Sequence, residues 1–179
     1  MYNSTSEGFS ILDKCWYTLE FKPFSGTKSD AIEVFRKLFY DSVELHLVSD
    51  VNVGFALSGG LDSSSVLFTA AKICSESSSK INTFSAVNSN KLFSEHDWIS
   101  IATFNLENLN SYFVSPDVDD MLNNIDSMIF TMDEPYQSQS AFFGNCVYRS
   151  VSKTNVKVLL NGQGADEYLG LYGHHRFLS

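Results

Sequence analysis

The chain has 179 residues, 44% of them hydrophobic and 18% charged, which is about one domain with ample apolar mass for a core and no compositional mark of disorder. Its net charge of −9 excludes unaided binding of nucleic-acid phosphates, a task for clustered Lys and Arg, so a polyanionic ligand here needs backbone N–H groups or a divalent metal. Cys15, Cys74 and Cys146 form no CxxC pair, no apolar run approaches the roughly 20 residues that span a bilayer, and the start is polar rather than leader-like; the expectation is a cytoplasmic protein with no nucleic-acid or membrane partner.

Residues 1–28 show little periodicity and read as a lead-in segment, with a short strand or extended piece around 15–21 and then a loop. Residues 29–179 read as one domain. Its first helix spans 30–48, where Ile32, Phe35, Phe39 and Val43 recur three or four apart. Asp30 with Glu33 has the spacing of a capping box. The short apolar run VGFAL (53–57) fits a buried parallel strand. A Gly/Ser turn follows, then a helix over 64–74 with Val66, Leu67, Ala70 and Ile73 inward. Residues 75–80 are a serine-rich loop. A strand is expected at 81–87, a helix at 96–109 and a short strand at 111–114. Ser115 then stands at an N-cap with Pro116 at the first helical position. Asp117, Asp119 and Asp120 complement the helix dipole, and Val118, Leu122, Ile125 and Ile129 form the apolar stripe. After a loop at 132–140 come a helix at 141–152, a strand at 156–160 and a second glycine turn that leads into a helix. Strand and helix alternate throughout, the pattern of a doubly wound, mostly parallel α/β sheet with helices on both faces. Both glycine turns follow apolar strands, so both fall at the sheet edge where such folds bind ligands.

The first turn, SGGLDSS (58–64), has the makings of a phosphate cradle. Glycine allows close backbone approach, the start of a helix offers unpaired N–H groups, and Ser58, Ser63 and Ser64 add hydroxyls. Asp62 repels an anion unless Mg²⁺ lies between them. The loop is neither a Walker A sequence nor G-x-G-x-x-G; the plainer alternative is a serine-capped strand-to-helix turn. In the second turn, NGQGADE (161–167), Asp166 could complete a two-carboxylate Mg²⁺ site with Asp62. The alternative there is that Asp166 and Glu167 only favour a helix N-terminus.

SGGLDSS resembles the pyrophosphate-binding loop of the N-type ATP pyrophosphatases. The longer stretch SDVNVGFALSGGLDSSSV (49–66) resembles the synthetase domain of the glutamine-dependent asparagine synthetases, with Asn52 at a usual proline. LLNGQGADEYLGLYG (159–173) is similar to that family's second motif through Gly162, Gly164, Asp166 and Glu167. The resemblance implies ATP and Mg²⁺ as cofactors, a carboxylate substrate such as aspartate, and an amide product formed with ammonia through an acyl-adenylate. It assigns ATP or pyrophosphate binding to Leu57, Ser58, Gly59, Gly60, Asp62, Ser63, Ser64, Ala86 and Gly162, metal binding to Asp62 and Asp166, and catalytic roles to Asp62, Gln163 and Asp166. TFSAV (83–87) is similar to the strand whose backbone faces the adenine, and SEHDW (94–98) and MDEP (132–135) also occupy family positions.

Two positions depart from the family pattern. Gln163 replaces a glutamate implicated in forming the adenylate. A neutral amide orients a substrate but is no base, and relatives with glutamine there resemble amidotransferases found near surface-polysaccharide synthesis, so a different acceptor is the alternative. Leu171 replaces a glycine before Tyr172. The family's glutaminase nucleophile, a cysteine after the initiator methionine, is not at Tyr2, and its distal lysines lie beyond the point matching Ser179; only His174, His175 and Arg176 are nearby. The expectation is therefore a partial synthetase domain. Its partner is a separate glutaminase domain or C-terminal half, or the chain is a nucleotide-binding piece without catalysis of its own.

Overall fold

The computed structural model describes residues 2–5, 8–11, 15, 17–18, 20, 22–75, 80–88, 95–135 and 138–169. The chain divides into two compact units, Met1–Lys37 and Leu38–Ser179.

The first unit opens with strands β1 (Tyr2–Thr5) and β2 (Gly8–Ile11), paired antiparallel with Tyr2 opposite Ile11 and Thr5 opposite Gly8. Of the short strand or extended piece expected around 15–21, the described residues 15, 17, 18 and 20 lie in no strand, and 16, 19 and 21 are outside the described residues. Helix α1 (Lys28–His46) starts two residues earlier than its apolar spacing suggests. The reason is its cap. Thr27 and Asp30 form the reciprocal box that Asp30 and Glu33 were expected to form. The Asp30 N–H donates to Thr27 Oγ1 at 3.2 Å, and Thr27 N–H and Oγ1–H both donate to Asp30 Oδ2 at 2.8 Å. Those two donors hold the Asp30 carboxyl below its ordinary pKa, the backbone one first.

The second unit takes up α1 from Leu38 onward and continues with β3 (Asn52–Ala56), α2 (Leu61–Ile73), β4 (Ile81–Ala86), α3 (His96–Thr103), β5 (Leu109–Val114), α4 (Val118–Met132), α5 (Gln139–Val151), β6 (Val156–Leu160) and α6 (Ala165–Leu169). The four strands form one parallel sheet in the order β5-β4-β3-β6. Its helices cover both faces. Val43, Leu67, Ala70 and Ile99 of α1, α2 and α3 bury against Phe55 and Leu57, with Val53 alongside. Phe84 and Val156 bury with Val151 and Val147 of α5 instead, and Met128 of α4 with Phe142 and Cys146 of α5. Period-two alternation along β3 explains the split, since neighbouring residues point to opposite faces. Gly54 belongs to the α5 face: a Cβ there would lie 2.9 Å from Phe84 Cε2 and 3.0 Å from Val156 Cγ1. The aromatic ring of Phe84 thus occupies the space a side chain at 54 would need.

Several boundaries differ from the sequence reading, each for a local reason. The helix expected at 96–109 ends at Thr103, and Asn108 takes a left-handed φ of 61° to turn the chain into β5. Helix α4 is capped by Asp117, not Ser115; its carboxylate accepts from the Asp120 N–H at 2.7 Å. Its stripe is also rotated. Val118 and Leu122 are exposed, while Met128 is buried and Met121 packs beside it. In α1 the stripe divides along its length: Val43 is buried and Phe39 packs on the core, whereas Ile32 and Phe35 are 46% and 49% exposed. Helices α2 and α5 begin at Leu61 and Gln139, ahead of the expected 64 and 141.

Candidate functional site

The strand order contains a reversal. From β3 the chain moves to β4 and then β5 on one side, and β6 returns to the other side of β3. The crevice beyond the carboxyl ends of β3 and β6 is therefore the topological switch point. Phe55 pairs with Leu160, so the two glycine turns leave the sheet side by side.

The first turn is held by its own hydroxyls. Ser58 and Ser63 Oγ atoms lie 3.1 Å apart, Ser63 Oγ also donates to Gly60 O and accepts from Ser58 N–H at 3.3 Å, and Gly60 N–H donates to Ser58 Oγ at 3.3 Å. Gly60 is the N-cap of α2 and supplies no side-chain cap. The N–H groups of the first turn, which have no partner within the helix, are thus left to an incoming anion. Gly59 has φ +79°, and a Cβ on it would stand 2.8 Å from both Ile99 N and Trp98 Cβ. Only glycine meets both demands there.

The second turn packs onto the first. A Cβ at Gly162 would fall 2.6 Å from Ser63 N and 2.8 Å from the Asp62 carbonyl carbon. Asn161 Oδ1 accepts from Gln163 N–H at 3.0 Å, and Gly164 reverses the chain with φ +95° before α6.

Together the turns wall a cleft of about 600 Å³. Of the residues singled out from sequence, Leu57, Ser58, Gly60, Asp62, Ser63, Ala86, Gly162, Gln163 and Asp166 all line it. Gly59 and Ser64 do not. Gly59 packs behind the loop on α3. Ser64 is buried inside α2, its N–H bonded to Gly60 O and its hydroxyl buried without a partner. Asp133 and Glu134 are exposed and outside the cleft, and His174, His175, Arg176, Leu171 and Tyr172 fall outside the described residues.

The cleft also has further walls. Glu95, from the SEHDW stretch, and Asn88, which no motif announced, close it beyond β4, and partial burial pushes the Glu95 carboxyl above its ordinary pKa. Gln139, Ser140, Phe143, Gly144 and Val147 of α5 close it on the opposite face of the sheet. Their spacing of three and four marks one helix face, but periodicity does not say that this face meets the glycine turns. Four carboxylates line the cleft (Asp62, Glu95, Asp166 and Glu167), and among the described residues no Lys, Arg or His does. Against this described lining, an anion draws on backbone N–H groups and hydroxyls, with a cation to offset the carboxylates. The described residues hold no cluster of three or more Asp, Glu, His or Cys able to cage a metal. Mg²⁺ needs none, because one or two carboxylates and substrate phosphates suffice for it; Asp62 and Asp166 supply that number.

The family model for asparagine synthase matches residues 34–179. The chain is 32% identical over 168 residues to asparagine synthetase [glutamine-hydrolyzing] 1 of Bacillus subtilis, covering 93% of the chain and 25% of that protein. It is 35% identical over 162 residues to the putative asparagine synthetase [glutamine-hydrolyzing] 2 of Methanocaldococcus jannaschii, covering 89% of the chain and 30% of that protein. The chain thus spans between a quarter and a third of the length of these relatives. Among solved structures, an NH3-dependent NAD synthetase from Campylobacter jejuni aligns with a TM-score of 0.48 at 17% identity, over 78% of this chain and 60% of that one.

Proposed function

The chain belongs to the asparagine synthase family, and from that premise we propose that its cleft binds ATP with Mg²⁺ and adenylates a carboxylate for amidation by ammonia. One observation carries the reading: Gly162 lies so close to Ser63 N and the Asp62 carbonyl carbon that the two glycine turns form one surface, bringing Asp62 and Asp166 into the same cleft.

The phosphates would lie on the N–H groups opening α2, with Ser58 and Ser63 holding the loop in shape beforehand. Asp62 and Asp166 would hold Mg²⁺, which, when bound, offsets the negative charge of the phosphates. A carboxylate oxygen of the acceptor attacks the α-phosphorus, the bond from that phosphorus to the bridging oxygen breaks, and pyrophosphate leaves with the electron pair. Ammonia then attacks the acyl carbon, AMP departs, and one proton is released. Gln163, beside Asp166 on the second turn, has an amide to orient the acceptor but no charge with which to act as base. Ammonia would come from a glutaminase partner, or from solution.

A binding-only reading keeps the same nucleotide site. It draws on Gln163, whose neutral amide on the second turn cannot act as a base.

The test is direct. Pyrophosphate release and ATP affinity are measured on the chain with Mg²⁺ and a panel of carboxylates including aspartate, with and without ammonia. Release that depends on carboxylate and Mg²⁺ is the expected result. Binding of Mg²⁺–ATP without release supports the binding-only reading, and no ATP binding by folded protein would sink both.

A further inference from the structure

Helix α5 lines two separate spaces. One face, at 139, 140, 143, 144 and 147, walls the cleft. Another carries Cys146, Arg149 and Ser150 at spacings of three and four, and the same stripe reaches Lys153 in the turn after the helix. That stripe opens on a second cavity of about 250 Å³. Its other walls are Val114 at the end of β5, Ser115 and Pro116, and Asp120 in the first turn of α4. None of these residues lines the cleft.

The second cavity gathers charges of both signs. Cys146 is buried and Val114 packs with it, while Asp120, Arg149 and Lys153 are exposed. Burial pushes the Cys146 thiol up in pKa first; the nearby Arg149 guanidinium then draws it down and the Asp120 carboxylate pushes it up. Arg149 and Asp120 therefore flank the same sulfur. Yet among the described residues Asp120, Arg149 and Lys153 have no ion-pair partner within 4.0 Å. Helix dipoles favour Asp120 at the start of α4 and Arg149 at the end of α5. They do not account for Lys153, or for all three meeting at one cavity.

The lining selects among ligands. A simple oxyanion is a poor match, because Asp120 lines the cavity and Asp117 stands beside it as the N-cap of α4. A simple cation meets Arg149 and Lys153. The match is a molecule with one cationic and two anionic groups, set to the two cations and one carboxylate of the lining. A cavity of about 250 Å³, against about 600 Å³ for the cleft, admits a small metabolite rather than a nucleotide.

We propose that this cavity is a second ligand site that takes an acidic α-amino acid, with its α-carboxylate on Arg149, its ammonium on Asp120 and its side-chain carboxylate on Lys153. The adjacent α-groups fall to Arg149 and Asp120 because these two flank Cys146, whereas Lys153 lies one turn further on. Ser115 and Ser150 add hydroxyls to the carboxylates.

The test is titration calorimetry on the whole chain without nucleotide, with L-glutamate, glutarate and L-glutamine as probes. Glutarate lacks the ammonium, and glutamine lacks the second carboxylate. Wild type is expected to bind glutamate about fivefold or more tighter than either, the upper size for exposed charge pairs. Asp120→Asn should erase the advantage over glutarate, and Lys153→Gln the advantage over glutamine. Arg149→Gln should weaken glutamate binding by about fivefold or more. Each variant replaces an exposed side chain, so Tm should stay within about 2 °C of wild type. No glutamate binding by folded wild type, glutarate or glutamine bound as tightly as glutamate, an advantage that survives its matching substitution, or a larger loss of Tm, which would make these charges structural, each overturns the proposal. None of these results touches the nucleotide reading, which rests on the two glycine turns.

Discussion

Among single residues, the glycines of this chain divide by what surrounds them, and sequence alone could not sort them. Gly162 and Gly144 both line the cleft, but a Cβ on the first would strike backbone atoms at 2.6 and 2.8 Å, while one on the second meets open space. Backbone cannot move aside as a flexible side chain can, so Gly162→Ala must part the two turns. The expected result is a stability loss of about 1–3 kcal/mol, the usual range for forced overpacking, and at least about tenfold weaker Mg²⁺–ATP binding. Chemical denaturation and calorimetry on that variant check both; a variant with wild-type affinity would show that the contact between the turns does not shape the site. Motif likeness pointed to Gly162 but was silent on Gly144, because nothing in the run AFFGNC reveals that its glycine faces a void. Ser64 shows the converse. It belongs to the motif and looks like a phosphate donor, yet the helical period of about 3.6 residues per turn carries its hydroxyl into the interior, where it has no partner.

Secondary elements were legible in type more than in their ends. The alternation of apolar strands and amphipathic helices gives the α/β class, because burial on both faces of a parallel sheet leaves that trace in composition. Ends are decided by a few hydrogen bonds that compete at similar strength. Both Thr27 and Asp30 can cap α1, and in the structure Thr27 is the cap while Asp30 closes the box. Likewise Asp117 takes the place expected for Ser115 at α4. The hairpin of β1 and β2 left little period-two signal, none in YNST and one apolar pair, Phe9 and Ile11, in GFSI, too short to mark a strand. The α1 cap makes a pH prediction. Asp30 has a lowered pKa in the folded chain, chiefly from the Thr27 N–H and then from its hydroxyl. A group with a depressed folded pKa contributes stability that is fully present above its unfolded pKa and is lost as pH falls through its folded pKa. Thr27→Ala removes the hydroxyl donor and keeps the backbone one. NMR titration of the Asp30 carboxyl should therefore show its pKa moving up part of the way toward the ordinary value, and no movement would remove the hydroxyl as a cause.

At the level of the whole molecule, function follows from the strand order. Two motifs about a hundred residues apart become neighbours only because β6 returns to the side of β3 that β4 does not occupy. The sequence showed both turns and their strands; it could not show that return, since order in a parallel sheet is set by how helices pack on its faces rather than by any single segment. The same return brings α5 to the cleft, which is why its wall went unseen. If Asp62 and Asp166 serve one ion on opposite turns, their effects on nucleotide binding cannot be independent. Removing either carboxylate leaves a metal site with half its protein ligands, and removing the second then takes away little more. In a double-mutant cycle, Asp62→Asn and Asp166→Asn should each weaken Mg²⁺–ATP binding by about tenfold or more, roughly 1.4 kcal/mol or above. The double variant should fall short of the summed loss by about 0.5–3 kcal/mol, the range seen for groups that share a partner. Repeating the cycle without Mg²⁺ should abolish that shortfall, and binding should then be weak and nearly indifferent to either substitution. Losses that add fully with Mg²⁺ present would mean that the two aspartates act at separate points of the cleft, and the shared ion would have to be abandoned even if ATP binds.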